Sequence, residues 1–247
     1  MTLRAIACAI AIAASIVSLP TVATAQTPQS AYVEPLTADN AVFLFIDNQT
    51  NLLLGVQSMD TTLLRNNTEG LAQLAKIFAI PVVLTTTGGG AAGPAGGLIS
   101  GITQAFPKEP IIDRQEYFNA MSDPKFAGAV KRIGRKKIVL SGLTTDYCLV
   151  YPAATLIAQG YHVYIVTDAS GSFTAENQIS AMQRLIQMGA TPVNMQSLVG
   201  ELQNSAAVAN LVASKRTQPQ MIEWFSRYSA APSILNMNMA QRAGLPK

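Results

Sequence analysis

Continuous apolar runs alternate with amphipathic stretches along most of this chain. Ala41-Val42-Phe43-Leu44-Phe45-Ile46 is apolar throughout, the pattern of a strand buried on both faces of a parallel sheet. Further strands are expected at 81–86, 110–114, 138–140, 161–167 and 191–195, each an apolar or β-branched run bounded by Gly, Pro or polar residues. Helices are expected between them. Residues 66–78 place Leu71, Leu74, Ala75 and Phe78 on one stripe. Asp123-Pro124 opens a helix, with Asp as N-cap and Pro at the first position. A helix over 175–188 is closed by Gly189, and another spans 198–213. This alternation implies an α/β fold of three layers, a doubly wound and mainly parallel sheet with helices on both faces.

The two ends read differently. In residues 1–25, Arg4 supplies a positive start, 5–19 is apolar, Pro20 breaks the run, and Ala23-Thr24-Ala25 matches the small-x-small cleavage pattern of a secretory signal. The apolar span is too short for a membrane helix. Cleavage after Ala25 and a periplasmic or secreted mature chain are expected, with no stable membrane insertion. Retention as an anchor is the alternative. Residues 26–214 form one domain that begins with a polar arm at 26–40. Residues 215–247 are rich in Met, Asn and Pro and carry Trp224, Phe225 and Tyr228. So apolar an extension is expected to pack on a neighbouring subunit, making the protein a homo-oligomer.

Composition narrows the possibilities. Of the 247 residues, 49% are hydrophobic and 13% charged, which favours a large core over disorder. The net charge of +3 and the single basic run, Lys131 to Lys137, fit the solvated end of a helix rather than a nucleic-acid surface with interleaved aromatics. Signal cleavage removes Cys8 and leaves Cys148 as the one thiol. The Gly-rich stretch 88–97 matches neither a dinucleotide fingerprint nor a Walker loop. It reads as a flexible loop over the top of the sheet. His162, the one histidine, falls inside a strand, and the chain lacks the His and Cys ligands of a zinc site.

The candidate chemistry gathers at strand ends. Asp47 ends the first strand, Arg114 the third, and Cys148 follows the fourth. In an open parallel sheet ligands bind beyond the carboxyl ends of the strands, where the strand order reverses. With order 3-2-1-4-5-6, Asp47 and Cys148 face each other there and Arg114 approaches from the side. Cys148 has two readings. It is a small buried apolar residue, or a nucleophile whose thiolate is favoured by a place in the first turn of a helix. Asp47 caps a turn or serves as general base. The N–H groups of Thr144 and Cys148 are candidates for an oxyanion site. Arg114 cannot serve as a base. Asp168 is expected to cap a turn, and Asp146 to complement a helix dipole.

Three segments, 42–47, Leu140 to Cys148, and Val166-Thr167-Asp168-Ala169, resemble the isochorismatase-like cysteine hydrolases, whose members include nicotinamidases. The resemblance spans roughly residues 36–200. It is nearest to the YcaC-like branch at Leu84-Thr85-Thr86, Ala105-Phe106-Pro107 and Arg114. It implies a Rossmann-like strand order and catalytic Asp47 and Cys148, with Arg114 where the family's Lys stands. It also implies a cis peptide between Leu143 and Thr144 that aims the Thr144 N–H at the oxyanion. The metal-binding Asp/His cluster of nicotinamidases has no counterpart here, so neither cofactor nor metal is expected, and nicotinamide is disfavoured. Retention of the cysteine favours an amidase reaction over vinyl-ether hydrolysis. The expected protein is an exported hydrolase of C–N bonds in a small amide-type molecule, working through a Cys148 thioester. The alternatives are a non-catalytic binding or scaffold member of the fold and a thiol redox protein.

Overall fold

A computed structural model describes residues 34–114, 117–209 and 211–229. The signal segment, its cleavage site and residues 230–247 of the extension lie outside the described residues.

Six strands form one sheet: β1 Ala41–Ile46, β2 Val82–Thr87, β3 Ile111–Arg114, β4 Lys137–Gly142, β5 His162–Val166 and β6 Thr191–Val193. Their order is 3-2-1-4-5-6 and every pairing is parallel. All six residues of β1 and all six of β4 are buried, as central strands covered on both faces must be. β1 runs beside β4 from Ala41↔Lys137 to Ile46↔Gly142, which brings their carboxyl ends level at the switch point.

The helices are α1 Thr50–Gly55, α2 Thr61–Ile77, α3 Ser100–Ala105, α4 Pro124–Ile133, α5 Val150–Ala158, α6 Ala175–Gln187, α7 Met195–Ala209 and α8 Leu211–Tyr228. Helices α2, α3, α7 and α8 cover one face of the sheet, over Phe43, Phe45, Leu84, Val139 and Val166. Helices α4, α5 and α6 cover the other, over Val42, Leu44, Ile138, Leu140 and Val163. This is the three-layer arrangement that the alternation of elements implies.

Caps explain most boundaries. Asp123 accepts from Lys125 N and Phe126 N, and Pro124 starts α4, as its sequence predicts. Helix α2 begins five residues before the apolar stripe suggests, because Asp60 accepts from Leu63 N and caps the turn Thr61 to Leu64. Asp168 accepts from Met195 N at 3.0 Å and so holds the start of α7, the capping role its position suggests. Gly189, with φ 97°, closes α6 in the left-handed conformation that glycine adopts freely.

Three expectations need correction. The aromatic residues after position 215 were expected to seek a second subunit. Instead Met221, Trp224, Phe225 and Tyr228 of α8 are buried in the chain's own core. Trp224 Nε1 donates to Gly70 O of α2 at 2.7 Å, and Gly70 leaves room for the Tyr228 ring, since a Cβ there would lie 2.9 Å from it. The Gly-rich stretch is held rather than loose. Gln49, fully buried, donates to Gly96 O and Thr87 O and accepts from Thr87 N. Thr50 N and Asn51 N donate to Gly97 O and Ala95 O. Lys137, from the basic run, is a buried strand residue whose Nζ donates to Glu34 O, not part of a solvated helix end. Among the described residues no helix is long and apolar enough to cross a membrane.

Candidate active site

The site forms where β1, β3 and β4 end. Asp47 follows β1 with φ 56°, in the left-handed region that side chains other than glycine rarely occupy. Holding it there costs about 1–3 kcal/mol, so the surroundings must enforce it. They do so through the backbone. The Asp47 N–H donates to Thr85 O of β2 at 3.1 Å, and Asp47 O accepts from Gln49 N at 2.6 Å.

Arg114 reaches from the edge strand β3 across β2 to Asp47. Its Nη2 donates to both carboxylate oxygens. Its Nε donates to Thr85 Oγ1 at 2.8 Å, and Nη1 to Tyr117 O at 2.6 Å and Phe118 O at 3.4 Å. The five guanidinium protons thus all have acceptors. Arg114 and Asp47 are both fully buried, so this is an ion pair without solvent. Its saturation leaves Arg114 no proton to point at a substrate. Its role is to fix Asp47. Thr85 was absent from the expected site. It serves because its hydroxyl accepts from Arg114 while donating to Ile112 O, a role that a β-branched residue at a strand end does not announce.

Cys148 sits in a wide turn, Thr145–Leu149, that precedes α5. The sequence placed it in the first turn of a helix with its N–H free. In the structure the Cys148 N–H donates to Thr144 O at 2.7 Å, which removes it from the expected oxyanion pair. The Thr144 N–H donates to no atom among the described residues, and the Leu143–Thr144 peptide is cis, as the resemblance implies. Cys148 belongs to the core cluster that also holds Leu44, Ile46 and Leu140, and it is 7% exposed. Its thiol lies against the Asp47 carboxylate.

Ionisation runs opposite to the helix-dipole expectation. Burial pushes the Cys148 thiol well above its ordinary value, and the facing Asp47 carboxylate raises it further. Burial likewise raises Asp47, opposed by Arg114. Both Asp47 oxygens accept from Arg114 Nη2, the arrangement of an ionised carboxylate, while burial and the Asp47 charge favour the protonated form of the facing thiol. Such a pair can pass a proton from sulfur to oxygen when an electrophile arrives, because the developing negative charge then leaves the sulfur.

Two further side chains adjoin the site. Among the described residues, only Asn48 Oδ1 and Thr145 Oγ1 are buried side-chain polar atoms without a partner. Asn48 follows Asp47, and its Nδ2 is fixed by Ser141 Oγ at 3.2 Å. Thr145 opens the Cys148 turn. His162 pairs in register with Lys137 at the amino ends of the strands, the opposite edge of the sheet from the site. Among the described residues no group of three or more His, Cys, Asp or Glu converges.

Gly142 is required by close approach. A Cβ at this position would lie 2.2 Å from Ile46 O and 2.9 Å from Leu149 Cδ2. Gly142→Ala is expected to lose about 1–3 kcal/mol by overpacking, measured by denaturant titration. A stability equal to that of the parent would show that β1 and β4 are free to separate here.

These features define a class: a doubly wound α/β enzyme with its polar groups at the switch point of the sheet. Within that class the chain belongs to the isochorismatase family, in its YcaC-like branch. The Isochorismatase domain model matches residues 41–197. The probable hydrolase YcaC of Escherichia coli is 37% identical over 155 residues, which are 63% of this chain and 74% of that protein. The crystal structure of E. coli YcaC, an octameric hydrolase of unknown specificity, superposes with TM-score 0.73 and 30% identity over 84% of this chain and 96% of that one. YcaC from Pseudomonas aeruginosa, solved with hexane-2,5-diol and covalent acrylamide, gives TM-score 0.72 and 29% identity over 86% of this chain and 98% of that one. The chain is a hydrolase of this family.

Proposed function

We propose that this hydrolase is exported and cleaves the C–N bond of a small amide-type substrate through a Cys148 thioester. The observation that carries the reading is the thiol of Cys148 lying against a carboxylate that Arg114 keeps charged. As sulfur attacks the carbonyl carbon, the thiol proton passes to Asp47 and a C–S bond forms. The oxyanion meets the Thr144 N–H. Asp47 returns the proton to the leaving nitrogen and the C–N bond breaks. A water molecule then gives a proton to Asp47 and adds to the thioester, and the C–S bond breaks to release the acid. The thiolate takes the proton back. Arg114 moves no proton in this cycle, because its guanidinium does not deprotonate in proteins. The unpaired Asn48 Oδ1 and Thr145 Oγ1 offer hydrogen bonds to a polar substrate or to the attacking water.

The acrylamide carried covalently by P. aeruginosa YcaC supports an electrophile-accepting site in this branch. Acrylamide adds thiols across its double bond. By analogy with octameric E. coli YcaC, the active form is a homo-oligomer. Export rests on the signal pattern of residues 1–25.

One experiment addresses both parts. The full-length chain is expressed in a Gram-negative host, recovered from the periplasm and incubated with acrylamide. Its intact mass is expected to equal that of the chain from Gln26 plus one acrylamide, and peptide mapping to place the adduct on Cys148. An adduct on another residue, or one that persists in Cys148→Ala, ends the nucleophile reading. An uncleaved cytoplasmic chain ends the export reading.

A further inference from the structure

We propose that Asp146 and Ser172 are positioning residues that hold the turn carrying Cys148. The proposal rests on the nucleophile reading above. The turn Thr145–Leu149 is tied to the segment that follows β5. Thr145 N donates to Gly171 O at 3.0 Å. Asp146 Oδ1 accepts from Ser172 Oγ at 2.8 Å, and Oδ2 accepts from Asn177 Nδ2 of α6 at 3.1 Å. Ser172 is fully buried and its backbone is fixed in turn. Its N–H donates to Ser58 Oγ at 3.0 Å, and its carbonyl accepts from Gln57 N and Ser58 N at 3.2 and 3.3 Å. One serine therefore links the nucleophile turn, the segment after β5 and the loop after α1, and Asp146 adds α6.

Ser172 has a single hydroxyl proton, yet Asp146 Oδ1 and Gln178 Oε1 both lie within hydrogen-bond distance, at 2.8 and 3.0 Å. A carboxylate oxygen is a stronger acceptor than an amide oxygen, so the proton belongs to the Asp146 bond. Rotating the Gln178 amide puts Nε2 toward Ser172 Oγ, where it donates to the free lone pair. That rotation gives up only a 3.4 Å bond to Ser170 O. Ser172 then donates to Asp146 and accepts from Gln178, and its hydroxyl is fully used.

The link acts on Cys148 through the backbone. Asp146 and Cys148 share one five-residue turn, so a shift at Asp146 moves the sulfur. The charged groups facing that sulfur are Asp47 from β1 and Arg114 from β3. A loosened turn carries the thiol away from Asp47 and toward water. Solvation and distance from the carboxylate both favour thiolate, the form that attacks alkylating agents. Proton transfer to Asp47 is lost by the same movement. Loss of the link should thus raise alkylation while lowering hydrolysis, a split that simple loss of stability does not produce in a folded enzyme.

The test uses Ser172→Ala, Asp146→Ala and the exchanged pair Asp146→Asn/Asn177→Asp in the full chain, with folding checked by thermal melting. The exchanged pair keeps both hydrogen bonds: the amide oxygen at 146 still accepts from Ser172 Oγ, and only the bond to position 177 is reversed, from amide nitrogen at 146 to carboxylate at 177. Acrylamide addition at Cys148 is timed at pH 8. The two alanine variants are expected to react about tenfold faster than the parent, and the exchanged pair at the parent rate. If Asp146→Ala does not fold, Ser172→Ala decides. Folded alanine variants that react at the parent rate overturn the positioning role alone, as does an exchanged pair as fast as Ser172→Ala. A parent chain that reacts only away from Cys148 overturns this proposal and the nucleophile reading together.

Discussion

Arg114→Ala is expected to destabilise the fold by about 3–5 kcal/mol, the cost of leaving one partner of a buried ion pair without the other. The guanidinium holds Asp47, Thr85 and two carbonyls, and all of them lose their donor at once. Protonation relieves part of the loss. Burial already raises Asp47, and Arg114 is the main influence opposing it. Without Arg114 the carboxyl ionises at a higher pH than in the parent. Below that pH it carries a proton and cannot take one from Cys148, so hydrolysis falls along with stability. Arg114→Lys is expected to be intermediate in stability. Its single ammonium has three donors where the guanidinium has five, and it cannot span both carboxylate oxygens in a plane. Denaturant titration of the two variants, at pH 6 and pH 8, measures this. An alanine variant within about 1 kcal/mol of the parent would mean that the pair contributes no more than a surface contact.

The second large effect is expected at Asp47. Asp47→Asn should reduce amide turnover by about 10²–10⁴-fold, the usual contribution of a positioned acid–base group. The same change should make the thiol easier to ionise. The carboxylate is the second-largest influence holding Cys148 up, after burial, and the amide carries no charge. The sign is therefore fixed. In the parent, alkylation by iodoacetamide keeps rising past pH 9, because the thiol is still protonated there. In Asp47→Asn the rise levels off at a lower pH, although burial keeps it above that of an ordinary cysteine. Turnover and alkylation thus move in opposite directions. If both fall together, Asp47 acts only by shaping the pocket.

These two residues also show where sequence reading succeeds. Asp47 and Cys148 are 101 positions apart, yet both lie just beyond apolar runs, and β1 and β4 are neighbours in the order 3-2-1-4-5-6. Their meeting follows from topology: alternation implies the parallel sheet, and the family resemblance implies its order. Arg114 was legible as a strand-end cation. Its complete saturation was not, because the acceptors come from β1, β2 and the segment after β3.

By itself, then, the sequence determined the alternation of six strands with helices, the caps at Asp123 and Gly189, and three polar residues at strand ends, while the strand order was legible only through the family resemblance. Periodicity, capping and breaking are local, and a strand covered on both faces shows as an unbroken apolar run. The tertiary structure alone decided that Asp47 takes a left-handed backbone, that the Gly-rich stretch is held by Gln49, and that Trp224 covers α2. It alone decided that the Cys148 N–H is already bonded and that its thiol is protonated at rest. Desolvation and hydrogen-bond saturation are sums over neighbours from distant parts of the chain. No window along the sequence contains those neighbours together.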